Sequence, residues 1–196
     1  MQAATITRAA VSGSLVWIAI ALVLGASGVL LTVPTPGPQI VILALTVATI
    51  WLTSSGALRE FVDTIPIRSL VGFHAVRFVG AVFLVLSAQG VLSPLFGMRA
   101  GWGDLAAAAI ALGLVATGGP TTPGRKRLYL GWNILGTVDL LVAVGSATLV
   151  ALRGDIPGVQ PLLRAPLVIV PMFFVPVLLA SHVVIFRRLL RSDASR

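Results

Sequence analysis

From Val11 to Val33 the chain runs without one charged side chain. A helix rises about 1.5 Å per residue, so roughly twenty such residues cross the hydrocarbon core of a bilayer. Five further apolar stretches follow, separated by charged residues or by Pro/Gly clusters. The predicted spans are Val11–Val33, Gln39–Leu58, Leu70–Leu92, Gly101–Thr117, Leu128–Leu152 and Pro166–Leu190, the fourth being the shortest. Composition agrees: 57% of the residues are hydrophobic, 10% are charged, and mean hydropathy is +1.03. A soluble domain of 196 residues needs far more charge on its surface. The expected fold is therefore an all-α integral membrane protein. Residues 1–196 form one six-helix transmembrane domain with the lipid bilayer as its first partner, alone, as a homo-oligomer or inside a larger membrane complex.

The formal charge of +8 does not mark a nucleic-acid binder, because the arginines flank apolar runs and no basic stripe alternates with aromatics. It reads instead as topology. Arg8, Arg59, Arg68, Arg125, Lys126, Arg127, Arg187, Arg188, Arg191 and Arg196 fall on one side of the six spans; Arg99, Arg153 and Arg164 fall on the other. Positive charge favours the cytoplasmic side, so both termini are expected there. Trp17, Trp51, Trp102 and Trp132 lie near span ends, as interfacial aromatics do. The first span carries no small-residue cleavage site and reads as retained. A single lysine and a single asparagine against thirteen arginines favour a bacterial inner membrane as the setting.

With no cysteine, disulfides, iron–sulfur clusters, thiolate zinc sites and cysteine nucleophiles are excluded. No HExxH, GxSxG, Walker A or Rossmann glycine pattern occurs, so no catalytic residue is assigned and the chain leans away from enzymes. Ser181 precedes His182, but neighbours on a helix point about 100° apart and do not form a nucleophile–base pair.

A charge in hydrocarbon costs at least about 2.5 kcal/mol, so each ionisable group inside a span needs a partner or a cavity. The candidates are His74, Arg77, Asp104, Asp139 and His182. Arg77 lies a turn below His74, and Asp139 is near the midplane, within reach of a long arginine. Arg77, Asn133 and Asp139 form the expected polar cluster, as a structural ion pair or as the lining of a proton or solute path. His74 and His182 share a depth; they are candidate substrate contacts or, in a cytochrome-like alternative, axial ligands of haem b. No third ligand accompanies them, so no metal site is expected. Asp104 and Gln89 belong to the outer leaflet, away from this cluster.

Gly101-Trp102-Gly103-Asp104 resembles the GxGD element of intramembrane aspartyl proteases, whose aspartate acts with a second one. The resemblance covers four residues. Asp139 follows the motif, no tyrosine precedes it, and no Pro-Ala-Leu element is present. Asp104 is expected instead in the first turn of the fourth helix, complementing its dipole.

Small residues mark expected helix contacts: Ala21 with Gly25, the row Ala109, Gly113 and Thr117, and the stripe Trp132, Gly136, Asp139, Ala143 and Ser146. REFVDTIPIR suggests a second helix that projects past the bilayer before turning at Pro66. Pro161, Pro166, Pro171 and Pro176 recur every five residues; Pro166 suits a first helical turn. Pro176 is the expected kink that aims His182. The leading expectation is a small-solute or proton permease or an accessory membrane subunit.

Overall fold

The computed structural model describes residues 2–194, so Arg196 lies outside the described residues. The described residues are all-α and include six helices long and apolar enough to cross a membrane: Thr5–Ser27, Gly37–Ser54, Ile67–Ala88, Pro94–Ala116, Pro123–Arg153 and Val170–Arg191. The described residues group into two compact units. One comprises the chain up to Thr64 with Val159–Ala180; the other comprises Ile65–Gly158 and the chain from Ser181 onward.

The first unit contains α1 (Gln2–Ser27), α2 (Gly37–Ser54) and α3 (Gly56–Thr64). α1 stops six residues short of the expected end because Gly28 adopts a left-handed conformation, φ 71°, which a residue without Cβ takes at little cost. α2 likewise ends at Ser54, and Gly56 at φ 57° starts a separate short helix, α3. The REFVDT segment is therefore its own amphipathic helix, not an extension of α2. Ala21, Leu30, Val168 and Met172 make this unit's apolar core. The expected Ala21/Gly25 contact is present: a Cβ on Gly25 would stand 2.9 Å from the Ala165 backbone nitrogen.

The proline segment departs from a simple helix. Pro166 lies in a turn rather than a first helical turn, and the carbonyl of Leu167 accepts from Val170 N at 2.9 Å, so it is not freed. A π-helical stretch, Val170–Phe174, precedes α8 (Val175–Ala194). Val175 stays helical and donates to Val170 O, so the π stretch runs unbroken into α8 and Pro176 lies inside one continuous span, next to the local distortion that a helical proline favours.

The second unit is built from α4 (Ile67–Phe73), a 3₁₀ stretch (His74–Val79) and α5 (Gly80–Ala88), which together form the third span. α6 (Pro94–Ala116), α7 (Pro123–Arg153) and the later part of α8 complete it. α6 begins at Pro94, seven residues before the expected start, so SPLFGMRA is largely helical and Asp104 lies well inside the helix. α7 is stopped and started by its sequence. Thr122 Oγ1 accepts from Arg125 N at 3.3 Å, Pro123 occupies the first turn, and Gly154 ends the helix at φ 67°. The α6–α7 loop is closed by Tyr129, whose hydroxyl donates to Gly118 O at 2.7 Å, and by Arg125, which donates to Gly119 O at 2.8 Å.

All four spans of this unit contribute to its apolar core: Val71, Ala111, Tyr129, Trp132, Ile185 and Leu189. Trp132 is accordingly buried, its Nε1 donating to Ala107 O at 2.9 Å, and is not an interfacial aromatic. The small-residue contact on α6 also differs from expectation. Ala109, Gly113 and Thr117 are exposed, and the face that packs carries Gly97 and Gly101, a GxxxG spacing. A Cβ on Gly101 would lie 2.9 Å from Gly80 O, and one on Gly97 2.9 Å from Phe83 O, so the α5 and α6 backbones touch.

Candidate functional site

The 3₁₀ stretch His74–Val79 has three residues per turn, which eclipses positions three apart. His74 and Arg77 therefore stand one above the other, both pointing into the second unit and both fully buried. Three residues beyond Arg77, Gly80 meets Gly101; three residues beyond Gly101 comes Asp104. The close approach of the two glycines thus brings the carboxylate of Asp104 to the arginine. A Cβ on Gly80 would lie 2.7 Å from the Asp104 Cβ, so any larger residue would separate the pair.

Arg77 Nε donates to Asp104 Oδ1 at 2.7 Å, Nη1 donates to Gly136 O at 3.2 Å, and Nη2 donates to Asp139 Oδ2. All three guanidinium nitrogens are engaged from two helices, a fork that lysine's single ammonium does not reproduce. The Arg77–Asp139 pairing is as expected, while Asp104 is not elsewhere but is the second carboxylate on the same arginine. Asp139 reaches its place because Gly103 has no side chain: a Cβ there would overlap the Asp139 carboxylate. Nε and Nη2 share one edge of the guanidinium, so Asp104 and Asp139 meet Arg77 side by side, and each commits an oxygen to that cation.

Asn133 is drawn into a different part of the site. Its Nδ2 donates to the backbone carbonyl of His182 at 3.1 Å, and its Oδ1 lies 2.7 Å from His182 Nδ1. The first bond orients the amide, since a flipped amide would set oxygen against oxygen. Oδ1 only accepts, so His182 Nδ1 carries the proton and in the neutral ring Nε2 holds the lone pair. Nε2 has no partner among the described residues and lies beside Gly136: a Cβ on that glycine would stand 3.0 Å from Nε2 and 3.2 Å from Arg77 Nη1. Gly136 thus admits both side chains to one helix surface, completing the stripe with Trp132, Ala143 and Ser146.

His74 Nε2 and Ser181 Oγ are 2.7 Å apart. A serine–histidine contact thus forms between helices. His74 Nδ1 is buried without a partner among the described residues, so no third group orients the ring as a base. The His74 and His182 ring centroids are 4.3 Å apart at 51°, with Trp132 edge-on to His74. Two axial ligands must face each other across iron with the porphyrin plane between them. Rings packed this closely, with Ser181 on one and Asn133 on the other, do not fit a haem between them.

Asp139, 14% exposed, opens on a groove of 570 Å³ lined by Gly103, Ala106, Gly131, Leu135, Val138 and Val142 among others. Sequence spacing did not single out Gly80, marked Gly101 and Gly103 only within the GxGD-like element, and marked Ser181 only as the neighbour of His182. The GxxxG spacing of Gly97 and Gly101 is the sequence signal from which the α5–α6 contact could have been read.

The fold and site define a multi-pass helical membrane protein with a buried aspartate–arginine–aspartate triad in a four-helix unit. The chain belongs to the family described as Domain of unknown function (DUF8737), whose model matches residues 36–190. No curated protein and no solved structure matches it.

Proposed function

We propose that the protein is a permease that carries protons, with Arg77, Asp104 and Asp139 as its proton site. One observation supports the reading: a single cation bonds two carboxylates, leaving a net charge of −1 when both are ionised. An uncompensated charge inside a bilayer is costly, and one proton brings the triad to neutrality. Asp139 is the member open to the surroundings, so it loads and unloads. Asn133 on α7 and His182 Nε2 on the facing α8 extend the polar groups beyond the triad; from Asn133 to Asp139 is about 9 Å at 1.5 Å per residue.

Reconstituted into liposomes with a trapped pH dye, the protein is expected to admit protons when a potassium gradient and valinomycin set the potential. Asp139→Asn should abolish that flux while leaving the protein folded. The burial of Arg77 and its third bond, to Gly136 O, favour a second reading, a structural lock in a permease-like or accessory subunit. That account gains if wild-type liposomes admit no protons and Asp139→Asn only lowers thermal stability.

The reading keeps both termini cytoplasmic in a bacterial inner membrane, on the arginine asymmetry and the Arg-rich, Lys- and Asn-poor composition. Because the chain has no cysteine, Lys126→Cys supplies a sole thiol. A membrane-impermeant maleimide should label it in inverted vesicles and not in intact cells; labelling of intact cells would reverse the orientation.

A further inference from the structure

We infer that the groove beside Asp139 binds a lipophilic monocation, an amphipathic ammonium whose N–H bonds to the Asp139 carboxylate while its apolar body lies along α7. The inference names the substrate class of the triad and rests on reading that triad as an exchangeable charge site.

Three observations converge. The groove's α7 wall repeats at Gly131, Ile134, Leu135, Val138, Asp139 and Val142, a single helical stripe in which one carboxylate interrupts an otherwise apolar surface. On the α6 side only Gly103 and Ala106 line it, so the wall there is low. Asp139 uses Oδ2 for Arg77, and Oδ1 is the carboxylate oxygen lying over Gly103, a wall of the groove. An oxygen with no donor from Arg77, in a triad of net charge −1, is complementary to one positive hydrogen-bond donor. A neutral alcohol would satisfy the oxygen but leave the charge; a carboxylate would double it. A body of hydrocarbon or aromatic rings matches the remaining walls and reaches the groove from the bilayer, where such cations partition.

Occupation by a cation and occupation by a proton are alternatives for the same charge, so the two should compete at Asp139. That competition would couple the movement of an amine to a proton moving the other way.

The probe is rhodamine 6G, a lipophilic monocation with N–H groups, followed by fluorescence polarisation on the full chain in a nonionic detergent. Saturable binding above that of empty micelles is expected. Gly131→Leu is the decisive variant, because a Cβ at that position meets nothing within 4 Å and the added side chain fills the groove instead of disturbing the fold. Its melting temperature should match the wild type while affinity falls about tenfold or more, and Asp139→Asn should show a similar loss. Protonated dodecylamine should displace the probe, and dodecanol of equal chain length should not.

Binding no greater than in empty micelles, wild-type affinity in Gly131→Leu, or equal displacement by dodecanol would each overturn the inference. Proton flux without probe binding would remove this inference and leave the permease reading. Saturable, Gly131-dependent binding without proton flux would keep the ligand site and remove the permease reading.

Discussion

The two compact units solve the problem of a membrane interior differently. In the first, the buried residues among those described are apolar apart from Thr46, whose hydroxyl donates to Ile42 O of its own helix at 2.8 Å. That unit is held by fitting small residues against neighbours, as Gly25 does against Ala165 and Val168. In the second, His74, Arg77, Asp104, Asn133, Ser181 and His182 are buried together, and each is bonded to a residue of a different helix. Packing needs only the right sizes in lipid, whereas each polar group needs a particular partner. A network of this kind is costly to keep for stability alone, because apolar replacements of a whole buried ion cluster are often neutral or better. The contrast favours the second unit as the seat of the proposed function.

The strongest way to break that contrast is Arg77→Leu. Two carboxylates would remain buried without their cation, and the expected loss is about 3–5 kcal/mol in detergent unfolding. Adding Asp104→Leu and Asp139→Leu should restore most of it while proton flux stays absent. If Arg77→Leu alone unfolds at the wild-type midpoint, the network is not what holds these helices.

A smaller effect is expected from Asn133→Leu. His182 Nδ1–H loses its partner and the His182 carbonyl its side-chain donor, for about 1–3 kcal/mol, and the tautomer of His182 is no longer fixed. Nitrogen-15 shifts of the imidazole should report the wild-type ring protonated at Nδ1 and a mixture in the variant. A ring protonated at Nε2 in the wild type would contradict the amide orientation.

The first unit should respond to volume rather than polarity. Gly25→Ala sets a methyl 2.9 Å from backbone and is expected to cost about 1–3 kcal/mol by overpacking, read as a lower melting temperature with proton flux retained. At the other extreme, Gly113→Ala on the exposed face of α6 meets nothing and should shift stability by no more than about 0.5 kcal/mol. A large loss at Gly113 would mean that this face is covered by another chain.

Much of the architecture was legible in the sequence, because crossing hydrocarbon demands about twenty apolar residues whatever those residues later touch. Boundaries were less so. The helix from Pro94 was missed since SPLFGMRA reads as loop by its proline, glycine and arginine, yet proline is at home in a first turn. Trp132 was assigned to the interface by type, and only the Ala107 carbonyl waiting in the core reverses that. The depth argument paired Arg77 with Asp139 correctly and separated Asp104 wrongly, because it started the fourth helix seven residues late.

By itself the sequence determined that this chain is a multi-pass helical protein, and which handful of ionisable residues must find partners inside it. Tertiary structure decided the pairings. A 3₁₀ turn lines His74 up with Arg77, and glycines at 80 and 101 let two backbones touch so that Asp104 reaches the arginine. Glycine at 103 then makes room for Asp139. Hydropathy is a sum over one helix and survives any arrangement, but a hydrogen bond depends on a few tenths of an ångström between helices, and that distance is set where a side chain is missing.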